Sequence, residues 1–314
     1  MILGGLWGVV VGDALGVPVE FCARSERRRD PVVDLRGHGT HGQPRGTWSD
    51  DTSLNLCTID TLLSAGEDYQ ALGRSFVRWL NAEIWTPHGS VFDVGNATAD
   101  AIQRLARGVP PLEAGRDDEQ SNGNGSLMRI LPVAIWFAGC PASDTIEAAH
   151  RFSAITHRHP RSQLGCALFC LIAQRLLGGA NATSAIDDAW EDARAHYYFE
   201  PFFSELRAYS RVRSATRLAG LRAHQIRGSG YVVEALEASL WCLLNSEGFE
   251  EAVLKAVNLG EDTDTTGAIT GALAGMFYGI DSIRLAWRVE LARYDDLTGL
   301  FDRFVRRISE PQQR

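Results

Sequence analysis

The amino-acid sequence predicts an all-α fold, a single compact multi-helix domain over residues 1–314. Eight segments carry apolar residues at three- and four-residue spacing, the period of a helix that buries one face. Alternating apolar and polar residues, which indicate strands, are scarce, and neither a βαβ rhythm nor an internal repeat is evident. With 45% hydrophobic residues, the chain has enough apolar side chains for a large core.

The predicted helices follow one another along the whole chain, separated by polar stretches. In order, they are Leu54 to Leu63, Tyr69 to Leu80, Val94 to Arg107, Ser126 to Phe137, Ser162 to Leu177, Tyr231 to Leu244, Phe249 to Leu259 and Thr265 to Phe277. Polar, Gly- and Pro-containing composition predicts loops at Arg24 to Arg45, Pro110 to Gly125 and Arg222 to Gly230. A last helix ends in cationic residues, which complement its dipole, and a short polar tail follows from about residue 309.

Charge and cysteine usage exclude several classes of protein. The formal net charge of −8 argues against a nucleic-acid partner. The six cysteines form no C-x-x-C pair, and Cys166 and Cys170 lie one helical turn apart in an apolar run, which predicts buried free thiols in a reducing compartment. The apolar start has no basic region before it and is ended by Asp13 without a cleavage site, and no stretch reaches the ~20 apolar residues of a membrane span. We therefore expect a cytoplasmic protein with no membrane partner.

Two short acidic clusters are the most informative feature of the chain. They are Ser49-Asp50-Asp51-Thr52 and Asp262-Thr263-Asp264-Thr265. Either cluster alone would be explained by acidic residues in the first turn of a helix. Together they offer four carboxylates and several hydroxyls without Cys or His, a set of hard oxygen ligands that suits Mg²⁺ or Mn²⁺ rather than zinc. If the clusters meet in the fold, they predict a site for two ions, which activates water and positions substrate oxygens.

The second cluster is followed by glycines at every fourth position. Gly267, Gly271 and Gly275 lie on one face of the predicted helix, where they leave room for another backbone to approach closely. Tight helix packing is the interpretation that we adopt for this stripe, and such packing would also hold the acidic turn rigidly. An EF-hand is excluded because Leu273 stands where the loop requires a bidentate Glu.

Four motifs, in this order, resemble the ADP-ribosylglycohydrolase family, which includes the dinitrogenase-reductase-activating glycohydrolases and the eukaryotic ADP-ribosyl-acceptor hydrolases. The motifs are Gly12-Asp13-Ala14-Leu15-Gly16, Gly46-Thr47-Trp48-Ser49-Asp50-Asp51-Thr52, Asn124-Gly125-Ser126-Leu127-Met128-Arg129 and Gly260-Glu261-Asp262-Thr263-Asp264-Thr265. The resemblance runs from near residue 4 to about residue 280. It implies an all-α fold with two Mg²⁺ ions, or Mn²⁺ in some members, and removal of ADP-ribose from modified side chains.

The resemblance also assigns metal ligands. Its two metal motifs fall on Ser49, Asp50, Asp51, Asp262, Asp264 and Thr265. Ser49 stands where many members have Thr and keeps the hydroxyl group. Glu261 stands where Gly is frequent and adds a negative charge near the site.

Three residues are predicted to be catalytic: Glu20, Asp93 and Asp51. Alone, Glu20 would be a surface carboxylate and Asp93 a helix N-cap. The resemblance places Glu20 near the metals and the reacting water. The segment Phe92-Asp93-Val94-Gly95 resembles one that, in arginine-directed bacterial enzymes, places an Asp near the guanidinium, and a carboxylate pairs well with that planar cation.

A substrate-binding wall is predicted from residues 121–126, a segment rich in Asn and Gly, and from three further positions. Backbone N–H groups at a helix start bind phosphate, and the resemblance makes this segment the cradle for the pyrophosphate and a ribose. It also implies that His157 reaches ADP-ribose and that Tyr231 covers the adenine, although a lone His or a helix-start Tyr is more often structural. The full set is Ser121, Asn122, Gly123, Asn124, Gly125, Ser126, His157, Gly230 and Tyr231.

These observations predict a Mg²⁺-dependent hydrolase that removes ADP-ribose from protein side chains, with ADP-ribosyl-arginine as the expected substrate. It would reverse a regulatory modification or one made by an ADP-ribosyltransferase toxin, in the latter case as a bacterial immunity protein. Three alternatives stay open. They are a non-catalytic ADP-ribose-binding or toxin-blocking protein, a hydrolase of ADP-ribosyl-serine, and a metal-dependent hydrolase of another glycosidic or phosphate substrate.

Overall fold

The computed structural model describes residues 1–310, which form seventeen α-helices and no strand, so the predicted all-α fold is confirmed. The end of the predicted polar tail, residues 311–314, lies outside the described residues. The helices are α1 Ile2–Gly16, α2 Arg24–Arg29, α3 Asp50–Ala65, α4 Tyr69–Ala82, α5 Asn96–Ala106, α6 Pro111–Ala114, α7 Leu131–Trp136, α8 Ala142–Ala154, α9 Pro160–Leu177, α10 Ala182–His196, α11 Phe202–Glu205, α12 Ala215–Ala219, α13 Val232–Leu244, α14 Phe249–Val257, α15 Thr263–Tyr278, α16 Leu285–Val289 and α17 Tyr294–Ser309.

Seven of the eight periodic segments coincide with helices α3, α4, α5, α9, α13, α14 and α15 to within a few residues. The exception is Ser126 to Phe137, where the prediction was wrong for the first half. Residues 126–130 form turns, and α7 begins only at Leu131, with Pro132 in its first turn. Pro132 has no N–H to continue a helical hydrogen-bond ladder from the preceding turn. The buried Arg129 side chain instead donates to the Phe152 carbonyl at 3.0 Å.

Two of the predicted loops contain short helices. The loop prediction fails at α2, inside Arg24 to Arg45, and at α6, inside Pro110 to Gly125. Both helices are too short to show apolar periodicity. In α2 the Glu26 carboxylate accepts a hydrogen bond from the Ala23 backbone N–H at 2.8 Å, which fixes the first turn.

Helix α1 is apolar on all sides because it is buried on all sides. By length and composition, the window Ile2–Val19 would pass for a membrane span, a point that the sequence analysis missed. In the fold, 89% of that window is buried inside the protein. The core of the described residues therefore accounts for its apolar composition.

Helices α1 and α15 pack backbone against backbone, which confirms the predicted role of the glycine stripe. A methyl group at Gly271 would lie 2.0 Å from the Gly8 carbonyl oxygen, and one at Gly12 would lie 2.0 Å from the Gly267 oxygen. At the end of this contact, a methyl group at Gly16 would lie 2.3 Å from the Asp264 Cα atom. The close approach therefore brings the end of α1 directly onto the start of α15.

The rest of the fold surrounds this central pair. Helices α13 and α14 pack on α15, α9 lies between α8 and α13, and α3 packs on α4 and α17. Most buried apolar side chains of residues 1–310 belong to one continuous cluster. The predicted free thiols are also found, since Cys166 and Cys170 are fully buried and unpaired. The end of α1 and the starts of α3 and α15 meet at one point, and this point carries the acidic clusters.

Candidate active site

The two acidic clusters meet through Asp13, a residue on α1. Its carboxylate accepts hydrogen bonds from the Ser49 N–H at 2.9 Å, the Thr52 N–H at 3.1 Å and the Thr52 hydroxyl at 2.6 Å. These are the free donors at the start of α3, so Asp13 caps that helix from a distance of 36 residues in the sequence. Helix α1 thereby holds the first acidic cluster in place.

Direct hydrogen bonds join the clusters. The Asp51 carboxylate accepts from the Ser49 hydroxyl and from the Thr265 hydroxyl, both at 3.1 Å. Oxygen atoms of Asp13, Asp51 and Asp264 lie within 4.8 Å of one another, as do those of Glu20, Asp262 and Asp264. Asp264 belongs to both groups, so the carboxylates form two adjoining clusters that share one residue.

The carboxylate oxygens have the character of cation ligands. Among residues 1–310, one buried oxygen of each of Asp51, Asp262 and Asp264 has no hydrogen-bond partner. A buried charge without a partner is costly, so such oxygens indicate missing positive charge. The donor set is made of oxygen only, which suits a hard divalent cation. The residues present therefore fit a two-ion metal centre.

The pKa values of these carboxyl groups are shifted because the groups are buried close to one another. Burial raises the pKa of Asp13 to about 7, even though hydrogen bonds from Thr52 and Ser49 oppose the shift. Burial, and then repulsion from neighbouring carboxylates, raises the pKa of Asp50, Asp51 and Asp264 well above the usual range. Protons would therefore occupy this site when no cation neutralises it.

Glu20, which belongs to one of the two carboxylate clusters, lies beside Asp93. Burial, followed by the charges of Asp93 and Asp262, raises the pKa of Glu20 to about 10. The His41 Nε2 atom lies 2.5 Å from a Glu20 carboxylate oxygen and 3.9 Å from Asp93 Oδ1. Thr40 also donates to the Glu20 carbonyl at 2.7 Å, so the loop before α3 holds both the backbone and the side chain of Glu20.

Asp93 is not the helix N-cap that its position suggested. Helix α5 begins three residues later, with Gly95 as its N-cap. The backbone of Asp93 has a φ of 56°, in the left-handed region that non-glycine residues rarely occupy. Its carboxylate therefore faces the pocket rather than the helix start, and it lines the cavity together with Glu20.

A cavity of about 450 Å³ opens beside the carboxylates and has the size of a small-molecule site. Its wall contains Gly123 and Gly125, whose N–H groups have no partner among residues 1–310. A methyl group at Gly125 would lie 2.8 Å from both His157 Cε1 and Thr98 Oγ1, so only glycine fits there. Of the predicted residues, the cavity is lined by Glu20, Asp50, Asp93, Ser121, Gly123, Asn124, Gly125, His157, Gly230, Asp262 and Thr265.

His157 lies in the wall as a neutral side chain. Burial, together with the nearby Arg129 charge, lowers the pKa of His157 to about 3. Its Nδ1 atom lies 3.0 Å from the Thr156 hydroxyl oxygen, which accepts a hydrogen bond from Arg129 at 2.8 Å. This arrangement favours a proton on Nε2, the nitrogen closest to Gly123.

Three predicted substrate-binding residues support the wall from behind instead of lining it. Asn122 accepts from the Ser162 hydroxyl at 3.0 Å, and Ser126 accepts from the Ser153 hydroxyl at 2.9 Å. The Tyr231 ring lies 5.9 Å from the Arg161 guanidinium, outside the cavity lining, so the geometry gives no support to adenine stacking. No helix starts at Ser126 either, and the predicted cradle consists of loop N–H groups without a helix dipole.

Asp13 and His41 have supporting roles that were not predicted from the sequence. Asp13 stood in a quoted motif, and an acid in an apolar helix is itself a signal, because burying it requires partners. His41 gave no signal, since it lies in a polar stretch 21 residues from Glu20. Asn124 was predicted to contact substrate. Its side-chain amide also donates to Asp262 at 2.8 Å and so joins the cavity wall to the carboxylate clusters.

Comparisons with known proteins agree with this arrangement. The family model described as ADP-ribosylglycohydrolase matches residues 1–314. The chain is 33% identical to the ADP-ribosylarginine hydrolase Tri1 of Pseudomonas putida, over 92% of this chain and 73% of the relative. It is 29% identical to the ADP-ribosyl-[dinitrogen reductase] glycohydrolase of Rhodospirillum rubrum, over 92% and 89%. A solved structure titled ADP-ribosylglycohydrolase-related protein complex superposes with a TM-score of 0.81 at 30% identity, covering 97% of this chain and 96% of the other.

Proposed function

The chain belongs to the ADP-ribosylglycohydrolase family, and on that premise we propose that it is a hydrolase that releases ADP-ribose from ADP-ribosyl-arginine in proteins. Relatives from Pseudomonas putida and Serratia proteamaculans, at 33% and 30% identity, are both named as ADP-ribosylarginine hydrolases. The substrate is therefore an ADP-ribosylated protein and the product is ADP-ribose.

One observation supports arginine as the modified residue of the substrate. Asp93 presents a carboxylate to the cavity next to Glu20, with its backbone held in the left-handed region. A guanidinium is a planar cation that a carboxylate recognises through paired hydrogen bonds. A serine-linked substrate brings no cation to this position, so the carboxylate would be left without a partner.

We propose two Mg²⁺ ions, with Mn²⁺ as an alternative, as the cofactor. The residues that would hold them are Ser49, Asp50, Asp51, Asp262, Asp264 and Thr265, of which Asp51, Asp262 and Asp264 belong to the two groups of close carboxylate oxygens. Bound ions would supply positive charge that activates water and orients the ribose hydroxyl groups. The unpartnered oxygens of Asp51, Asp262 and Asp264 support this assignment.

The other residues of the site have separate roles in binding and catalysis. Asp93 pairs with the guanidinium and orients the bond to be cleaved. Glu20 exchanges a proton with the reacting groups, because its carboxyl lines the cavity beside Asp93. His41 holds the Glu20 carboxyl in position from 2.5 Å. The N–H groups of Gly123 and Gly125 and the His157 side chain bind the ADP-ribose part.

The proposal also covers the cellular compartment and the source of the modification. The enzyme acts in the cytoplasm, in keeping with six cysteines that form no disulfide bond among residues 1–310. There it reverses a regulatory modification or one that an ADP-ribosyltransferase toxin has made. The alternative of a non-catalytic ADP-ribose-binding protein is disfavoured, because binding alone would not require so many buried carboxylates.

The test is release of ADP-ribose from matched arginine-linked and serine-linked peptides. We expect the wild-type protein to cleave the arginine-linked peptide much faster. Asp93→Asn should lower that rate by about two orders of magnitude, since the partly buried carboxylate would lose its charge-assisted pair. Affinity for free ADP-ribose should change little.

Asp100→Asn is the matched control, because Asp100 is an Asp of the following helix that pairs with Arg116 at 2.7 Å outside the cavity. Equal cleavage of both peptides by the wild-type protein would overturn the arginine assignment. Binding of ADP-ribose without cleavage of either peptide would favour the non-catalytic alternative.

A further inference from the structure

Beside the active-site cavity, one part of the rim carries arginines that outnumber the carboxylates near them. Two chain segments leave the cavity here, residues 21–29 and residues 222–230. We call this surface the basic shoulder and define it by Arg24, Arg28, Arg222 and Arg227. It stands out because the chain has a formal net charge of −8, whereas residues 207–233 contain six arginines and neither Asp nor Glu.

Arg24 ties the two segments together. Its guanidinium donates to the carbonyl oxygens of Leu259 at 2.7 Å, Ala223 at 2.6 Å and Ile226 at 2.6 Å. These acceptors are neutral, so the hydrogen bonds of the guanidinium are satisfied without an ion pair. Burial lowers the pKa of Arg24, the charge of Glu261 opposes this shift, and the charges of Arg28 and Arg227 add to it, so these charged groups lie close together.

The other arginines of the shoulder are exposed and weakly paired. Arg28 and Arg222 form no ion pair with any of residues 1–310. Arg227 reaches Glu234 and Glu261 only at 3.4 and 3.5 Å. It lies three residues from Gly230, which lines the cavity, so the shoulder begins at the mouth of the site.

The opposite part of the rim differs, because its charges are compensated. Asp117 pairs with Arg158 at 2.7 Å, and Glu119 pairs with Arg161 at 2.6 Å. A bound polypeptide would therefore meet the unpaired charges of Arg28 and Arg222 on the shoulder side, whereas Arg158 and Arg161 of the opposite side are paired. This asymmetry would orient an acidic segment toward the shoulder.

An apolar groove of about 770 Å³ continues from the shoulder, with Arg24 and Arg28 in its wall. Its lining includes Trp241, Leu254 and the exposed Val33. The acidic residues of the groove already have partners, since Glu250 pairs with Arg284 and Glu251 with Lys255. Exposed apolar surface bordered by arginine is typical of protein interfaces, whereas a nucleic acid would not use the apolar lining.

We propose that the basic shoulder and its groove form a docking surface for the substrate protein, which binds acidic residues flanking the modified arginine. This inference rests on the proposed hydrolase function and adds the class of target sequence. The occupant is an acidic polypeptide segment that runs from the cavity across Arg227 toward Arg28 and Arg222. Six extended residues span roughly 20 Å, enough to follow the shoulder away from the cavity mouth.

The experiment compares ADP-ribosyl-arginine peptides whose six flanking residues on each side are all Glu, all Gln or all Lys. The Glu peptide should have a kcat/KM about fivefold above the Gln peptide at low salt, through a lower KM, and the Lys peptide should be the poorest substrate. The advantage should shrink as salt is added. The double variant Arg28→Ala/Arg222→Ala should abolish it and leave turnover of free ADP-ribosyl-arginine unchanged.

The matched control is Arg303→Ala/Arg306→Ala, which removes two exposed arginines of α17 that lie outside the cavity lining. It should keep the preference for Glu. Equal kcat/KM for the three peptides, or an equal loss in both double variants, would overturn the proposal. Tighter binding of a labelled single-stranded oligonucleotide than of the Glu peptide, dependent on Arg28 and Arg222, would also overturn it in favour of nucleic acid.

The experiment distinguishes failure of the docking proposal from failure of the hydrolase proposal. If free ADP-ribosyl-arginine is not hydrolysed, the hydrolase proposal fails. Binding of fluorescein-labelled, unmodified Glu and Gln peptides, measured by anisotropy on the wild type and both double variants, then still decides whether the shoulder docks acidic segments.

Discussion

The acidic half of the site and the opposite wall of the cavity are built in different ways. The carboxylates of Asp51, Asp262 and Asp264 lie at the starts of α3 and α15, and α1 fixes both starts through glycine contacts and Asp13. The opposite wall is made of loops, in which Gly123, Gly125 and His157 come together by contacts between distant segments. The acidic half is rigid, and short sequence motifs predict it. The shape of the opposite wall depends on the direction of each loop side chain, which such motifs do not predict.

If the acidic half performs the chemistry, its removal should have the largest effect. Asp264→Asn takes one charge from the residue shared by both carboxylate clusters. We expect kcat to fall by about three orders of magnitude, of the size seen when a major electrostatic contribution is lost. EDTA should abolish release of ADP-ribose by the wild-type protein, and Mg²⁺ or Mn²⁺ should restore it. Full activity in EDTA would refute the metal centre.

The rigidity of the acidic half is tested at the contact between α1 and α15. Gly271→Ala would place a methyl group 2.0 Å from the Gly8 carbonyl oxygen, where only backbone movement can relieve the clash. The free energy of unfolding should fall by about 3 kcal/mol, and activity should fall with it because the start of α15 moves. Gly220→Ala is the control, since its nearest neighbour would be at 3.5 Å. Denaturant titration measures both variants, and equal stability would contradict close packing.

The loop wall is tested by comparing His157 with Tyr231. His157→Ala should weaken ADP-ribose binding about tenfold, roughly one lost hydrogen bond with its buried partner. Tyr231→Ala should change the dissociation constant less than threefold, because the ring lies outside the cavity lining. Titration calorimetry measures both, and thermal melting checks that each variant is folded. A larger loss for Tyr231→Ala would restore the adenine-stacking prediction.

A last expected effect is a pH dependence of the unfolding free energy to which the acidic half contributes. The raised pKa values of Asp13, about 7, and Glu20, about 10, mean that the folded state keeps protons that the unfolded chain releases near pH 4. Stability is therefore fully present below pH 4 and is lost as the pH rises toward these values. Relative to the protein with Mg²⁺, the unfolding free energy of EDTA-treated protein should fall as the pH rises from 5 to 7. Thermal melts measure the difference, and the same pH dependence with and without Mg²⁺ would contradict the shifts.

The sequence by itself determined the helical fold, the family, and the pairing of two acidic clusters with a glycine stripe. These features are local, because apolar spacing, capping residues and glycine repeats act within a few turns of the chain. It did not determine that Glu261 occupies the left-handed region, with a φ of 66°, a conformation that favours glycine.

Only the tertiary structure decided which side chains face the cavity. Asn122 and Tyr231 stand beside residues that line it, yet their side chains point elsewhere, toward Ser162 and Arg161. His41 reaches Glu20 from a polar stretch without any periodic signal, and Arg24 joins segments about 200 residues apart. Orientation of this kind is set by contacts between segments distant in the sequence, so a local pattern names the segment but not the direction of each side chain.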